Sequence, residues 1–309
     1  MDMKAKKTMR ECDVKFPWGN VAVVSWGLPS NPTMLLVHGY MDSAATFIPL
    51  IEELPNNYYY VAFDMPGHGK SDPFPPGLVV SQLHMVEVLR GVVEHFKCSS
   101  FVYVSHSMGF IVGVFYNHIY PGRISRMVHV DPGPPLSMYH YPHHKFDYWY
   151  GIYDSFYGDF TRWQGGSTKT MTHEQAVRLL VRNRSLSEEQ AEAVISRSLV
   201  PVGGGQYRLS WETRMKKIAQ IPISEETIFT MITERTPPML IINVTENKSI
   251  EPARSFAKNI LEKCSRKLPN CYSMTLNGGH DIHVTSADIV ANCILEFLSV
   301  KSEYKMSKL

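Results

Sequence analysis

Apolar residues along this chain gather into short continuous runs, separated by longer stretches where they recur every three or four positions. The first run, NVAVVSW at 20–26, alternates weakly and is closed by the turn cluster GLPSNP. MLLVHGY at 34–40 and YYYVAFD at 58–64 follow, with a helix expected between them over Phe47 to Glu53. Runs of this length, rich in β-branched and aromatic residues, mark strands buried on both faces. Leu78 to Phe96 carries Leu83, Val86, Leu89, Val93 and Phe96 at helical spacing and leads into FVYVSHSMG at 101–109. That stretch predicts a strand breaking into a sharp turn at Ser107, and Phe110, Ile111, Val114 and Phe115 open a helix beyond it, ending near Tyr120-Pro121-Gly122. RMVHVD at 126–131 is a further strand, closed by Asp131 and the prolines after it. Strands alternating with helices imply an α/β fold with a mostly parallel sheet, helices on both faces and ligands at the carboxyl ends of the strands.

The pattern changes after Pro135. Residues 139–163 are dense in aromatics, and two helices follow with capping boxes, Thr172 with Gln175 and Ser187 with Gln190. Alternation resumes after Pro238 with the strand MLIINV, a helix near Arg254 to Cys264, the strand CYSMTL at 271–276 and Gly278-Gly279-His280. A last helix opened by Ser286 is expected to bury Ile289, Val290, Cys293, Ile294, Phe297 and Leu298 on one face. The division this implies is a core over 1–132, a helical cap insertion over 133–235 and the rest of the core over 236–309. The turn residues Pro66 to Ser71, PGHGKS, form a loop beyond the 58–64 strand, with Asp64 placed to bond its amides around Gly67 to Gly69.

Composition narrows the partners. With 31 basic against 29 acidic residues the formal charge is +2, far from the concentrated positive charge of a nucleic-acid binder. No run approaches the ~20 apolar residues of a membrane span, and the start, MDMKAKKTMR, lacks the apolar centre of a signal peptide. A soluble, unsecreted protein is expected. Five scattered cysteines without a C-x-x-C pair suit a reduced intracellular setting. The terminal Ser307-Lys308-Leu309 has the form of a peroxisomal address read by an import receptor, so a peroxisomal location is expected, with the cytoplasm as a second compartment.

The strand ends carry the candidate chemistry. A serine hydroxyl needs an imidazole to take its proton and a carboxylate to orient that imidazole. FVYVSHSMG places Ser107 where the motif G-x-S-x-G places a nucleophile, with Ser105 in place of the first glycine and Gly109 as the second. With the order serine, acid, histidine, the base is His280 after the last strand, with His283 as its rival. Two carboxylates stand at suitable strand ends, Glu246 after MLIINV and Asp131 after RMVHV, and the spacing leaves both open. Amides of Met108 and Tyr40 would hold an oxyanion, and His38 would buttress the loop beside them. Serine rather than aspartate at the nucleophile position argues against epoxide hydrolysis and dehalogenation through an alkyl-enzyme ester. His140, His143 and His144 lack an acidic or cysteine companion at metal-ligand spacing, so neither a metal nor another cofactor is expected. Tyr148, Trp149, Tyr153, Phe156 and Trp163 would either line a pocket over Ser107 or form the insertion's own core.

These stretches resemble a family. HGYMDSAATF, YYYVAFDMPGHGKSD, YVSHSMG and GGHDIHV look like successive blocks of the α/β-hydrolases, and specifically of the serine hydrolase-like proteins related to Kraken. LSEEQAEAVISRSLVPVGGGQYRLSWETR is similar to their cap. The resemblance spans nearly the whole chain and implies an α/β-hydrolase fold and a serine hydrolase without supplying a substrate; a small-molecule acyl substrate is what the chemistry of the serine nucleophile leads one to expect. A carboxylic ester is the first expectation, a peroxisomal acyl-CoA thioester a second. The irregular loop around Asn247 and the serine at 105 also leave room for a ligand-binding protein with little turnover.

Overall fold

The computed structural model describes residues 7–140, 146–163, 168–246 and 249–300. Its strands are β1 (Met9–Phe16), β2 (Gly19–Trp26), β3 (Thr33–Val37), β4 (Tyr59–Phe63), β5 (Phe101–His106), β6 (Ile124–Val130), β7 (Thr170–Met171), β8 (Leu199–Gly203), β9 (Gln206–Leu209), β10 (Met239–Val244) and β11 (Cys271–Leu276). Eight of them form one sheet in the order β1-β2-β4-β3-β5-β6-β10-β11. β1 and β2 join antiparallel at one edge, and from β4 to β11 every pairing is parallel.

The helices are α1 (Ile48–Glu53), α2 (Gln82–His95), α3 (Gly109–Ile119), α4 (Gly133–Ser137), α5 (Phe146–Gly158), α6 (His173–Arg184), α7 (Glu188–Ile195), α8 (Glu225–Thr233), α9 (Ala253–Lys267), α10 (Ile282–Thr285) and α11 (Ala287–Ser299). Strand side chains alternate between two cores. Leu35, Val37, Val61, Phe63 and Tyr103 pack with α2, α3, α8 and α9, while Met34, Leu36, Tyr60, Ala62 and Val104 pack with α1 and α11. The inner strands are buried on both sides, which is why they are continuous apolar runs in the sequence.

Three local expectations change. β1 is an extra edge strand whose exposed residues Met9 to Asp13 carry no apolar signal, Val14 alone being buried. The last helix buries Val290, Ala291, Ile294 and Phe297, but Ile289 is exposed, because it falls on the far side of that stripe. The insertion is not purely helical: β7, β9 and β8 form a small antiparallel sheet, its hairpin turned by Gly203, Gly204 and Gly205, all at positive φ. Both ends of the 133–235 segment also lie on the core. α4 packs on α9, and Ile228 and Ile232 of α8 join the core beneath α3. Among the described residues no helix is long and apolar enough to cross a membrane, and all five cysteines are free.

Candidate active site

The parallel strands deliver the candidate residues to one rim of the sheet. At the end of β5 the backbone turns so sharply that Ser107 has φ +49°, a conformation that costs a non-glycine residue energy and has to be held by its surroundings. It is held by close packing. A Cβ on Gly109 would lie 2.5 Å from Val37 O, and one on Gly39 would lie 3.0 Å from Ser107 Cβ and 2.9 Å from His106 Nδ1. Hence the elbow presses directly on the loop that follows β3. Ser105, standing where the motif has glycine, is fully buried and hydrogen-bonds through Oγ to His129 Nδ1 at 2.7 Å. The small serine Cβ fits where a larger side chain would strike the turn, and its hydroxyl gains a partner in β6.

His280 Nδ1 hydrogen-bonds to Asp131 Oδ2 at 2.6 Å. Because the carboxylate accepts, the proton lies on Nδ1 and the lone pair on Nε2, the tautomer a general base needs. Asp131 is almost wholly buried and itself sits at φ +44°, its amide donating to Ile242 O at 2.8 Å. Glu246, the other carboxylate the spacing allowed, is exposed. Its amide bonds Gly278 O at 3.0 Å and its side chain lies against Gly279, with no hydrogen bond to the imidazole. The strand register explains the difference. Val130 pairs with Ile242, so Asp131 lies one residue past the ladder and Glu246 four, and the chain has left the imidazole's level by then.

His283, the rival base, is fully buried. Its Nε2 is engaged with Thr46 Oγ1 at 2.7 Å, and burial pushes its pKa down to about 3. His106 lies between, its ring centroid 4.5 Å from that of His280 and 4.1 Å from that of His283. Its Nε2–H donates to the backbone carbonyl of His280 at 2.9 Å, a contact that no spacing in the sequence signals. Among the described residues Ser107 Oγ is in no hydrogen bond, and none occupies the amides of Tyr40 or Met108.

The β3 exit loop is fastened from several directions. His38 is fully buried, bonding Gly39 O through Nδ1 at 2.7 Å and accepting the Met65 amide on Nε2 at 2.9 Å, so it supports the loop and has no free nitrogen for proton transfer. The Met41 amide donates to His68 Nε2 at 3.2 Å. Asp64 accepts the amides of Ala44 and Lys70 rather than those of Gly67 to Gly69, and it is also bound by Arg197 from the insertion.

Asp42, His106 and His283 bring potential ligand atoms within 4.8 Å of one another. They fit a metal poorly: Asp42 already accepts Ser43 N–H at 3.0 Å and Arg184 Nη2 at 2.9 Å, so a guanidinium holds the cationic position. His140 lies against Phe256, while His143 and His144 fall outside the described residues, as does Asn247. Of the aromatics, Phe156 and Trp163 pack with Val79 and Ala219, Trp149 is buried, and Tyr153 is exposed; the side chain of Tyr148 is outside the described residues. Phe156 and Trp163 thus pack the insertion against Val79, in the core segment just before α2.

Comparison with known proteins agrees with this architecture. Residues 32–287 match the family model described as the alpha/beta hydrolase fold, and the chain belongs to that family. It is similar to human serine hydrolase-like protein 2, with 26% identity over 309 residues and 93% of each chain covered. Two solved structures share the fold: a hypothetical protein of Pseudomonas aeruginosa, at TM-score 0.78 and 22% identity over 94% of this chain and 99% of that one, and a thioesterase domain from the curacin biosynthetic pathway, at TM-score 0.77 and 20% identity over 94% and 99%.

Proposed function

We propose that the protein is a serine hydrolase that cleaves a carboxylic ester or a related acyl substrate through an acyl-enzyme. The hydrogen bond from His280 Nδ1 to buried Asp131 carries this reading, because it fixes the imidazole as a base at the rim where the strained turn presents Ser107. In the first half-reaction Ser107 Oγ attacks the acyl carbon as His280 Nε2 takes its proton. The carbonyl oxygen becomes an oxyanion received by the Tyr40 and Met108 amides. His280 then protonates the leaving group, and the same imidazole deprotonates a water that releases the acid. Asp131 stabilises the imidazolium without itself taking the proton. The hydrogen bond from Ser107 to His280 forms as the substrate seats, since catalytic hydrogen bonds tighten in the loaded site.

Turnover of p-nitrophenyl esters and acyl thioesters of graded chain length tests the reading. Hydrolysis that disappears in Ser107→Ala supports it. Labelling by a fluorophosphonate without turnover on any of these substrates would favour instead a binding protein that keeps the pocket. Similarity to a thioesterase domain makes thioesters a worthwhile arm of the series.

The Ser307-Lys308-Leu309 tripeptide lies outside the described residues, and we propose that at a free carboxyl end it directs peroxisomal import. Deleting Leu309 from a fluorescent fusion should leave it cytoplasmic; unchanged import would refute the assignment.

A further inference from the structure

We propose that Arg184 is a positioning residue, a latch by which the inserted cap holds both catalytic loops in register. The proposal rests on the serine hydrolase reading above. Arg184 is the last residue of α6, and Ser185 ends that helix in the left-handed conformation. Its Nε donates to Asp281 Oδ2 at 3.0 Å, and its Nη2 to Asp42 Oδ2 at 2.9 Å and to Asp281 Oδ1. Asp281 directly follows His280, and Asp42 lies two residues past Tyr40. One guanidinium from the cap therefore grips the flank of the proposed base and the flank of the proposed oxyanion donor.

Burial gives the grip its strength. Asp42 and Asp281 are 5% and 9% exposed, and the Arg184 side chain only 19%. Burial alone would raise the Asp42 carboxyl, but the adjacent guanidinium outweighs it and holds the group well below the carboxylate range. Other contacts seat the cap on the same loop. Val284 packs among Ala176, Leu186, Val194 and Ile195, and Gln190 Nε2 donates to Val284 O at 3.0 Å. His280 is thus fixed at its imidazole by Asp131, at its carbonyl by His106 and at its next residue by the cap. A buried ion triad adds little net stability over neutral groups of similar size, so its location at these two loops points to orientation as its role.

The experiment uses the full chain, with kcat and KM for p-nitrophenyl butyrate, fluorophosphonate labelling rate and thermal midpoint measured together. The variants are Arg184→Lys, Arg184→Met, and Arg184→Met combined with Asp42→Asn and Asp281→Asn. In Arg184→Met we expect kcat and the labelling rate to fall roughly ten- to a hundredfold with KM within about twofold, the response to a misplaced rather than a missing group. Arg184→Lys should recover part of kcat. The triple variant buries no unpaired charge, so its thermal midpoint should return towards wild type while kcat stays low.

Recovery of kcat along with the midpoint in the triple variant would overturn the latch and leave a stability role only. Should neither neutral variant fold, Arg184→Lys decides: a lowered kcat at an unchanged midpoint supports the latch, and a wild-type kcat overturns it. A wild type that neither labels nor turns over removes the hydrolase reading and the latch with it. A wild type that labels, with variants that label equally fast, removes the latch alone.

Discussion

Asp131 and Glu246 end neighbouring strands, yet only Asp131 reaches the imidazole. Asp131→Asn keeps the shape but lets the amide donate to Nδ1, which favours the wrong tautomer. Ester turnover should fall roughly 10⁴-fold, the scale of the equivalent change in serine proteases. Glu246→Gln should stay within about twofold, because an exposed carboxylate away from the imidazole has little to contribute. A large loss in Glu246→Gln with a small one in Asp131→Asn would reverse the assignment. Ser105 offers a second test at this scale. Restoring glycine there would leave the buried His129 Nδ1 without its partner, so Ser105→Gly should destabilise the fold by about 1–3 kcal/mol in denaturant titrations. No loss of stability would mean that the pair contributes nothing. The sharp turn at Ser107 and the placement of His280 at a strand end were legible in sequence because motif and strand order constrain them. Which carboxylate lies against His280 was not legible, because that depends on how far each chain runs past the sheet.

At the scale of elements, legibility followed burial. β10 and β11 were read at their observed limits, since MLIINV and CYSMTL are bounded by proline, asparagine and glycine. β1 escaped because an edge strand facing water needs no apolar pattern, and the cap sheet because β7 to β9 are short and mostly exposed or half-buried. The capping boxes were legible because capping is local chemistry. Thr172 accepts the Gln175 amide at 3.2 Å and Ser187 the Gln190 amide at 3.2 Å, and each glutamine reaches back to the cap amide. Thr172→Ala and Ser187→Ala should each destabilise the cap by about 1 kcal/mol. Hydrogen exchange should show the loss within α6 and α7 while β5 and β6 keep their protection. Equal loss of protection throughout would show that cap and core open as one unit. Arg184 could not be found from spacing, because its partners lie 142 and 97 residues away.

At the scale of the whole molecule, four buried histidines tie stability to pH. Burial holds His68, His129 and His283 down to about 3 and His106 well below its ordinary value. The unfolded chain takes up a proton on each near pH 6.5 while the fold refuses it, so stability is complete above that pH and is lost as pH falls from about 6.5 towards 3. Each group can remove up to about 1.4 kcal/mol per pH unit. Four together are comparable with a typical domain stability of roughly 5–15 kcal/mol. The thermal midpoint should therefore drop steeply between pH 6.5 and 5, and a flat profile down to pH 4.5 would contradict these environments. The central claim, that the Ser107 turn and the Asp131-held imidazole of His280 form a working acyl-transfer site, is tested most directly by intact-protein mass spectrometry after fluorophosphonate treatment. A single adduct mapping to the Ser107 peptide is expected, absent in Ser107→Ala and strongly slowed in Asp131→Asn. An unmodified wild-type protein, or an adduct that persists in Ser107→Ala, would contradict it.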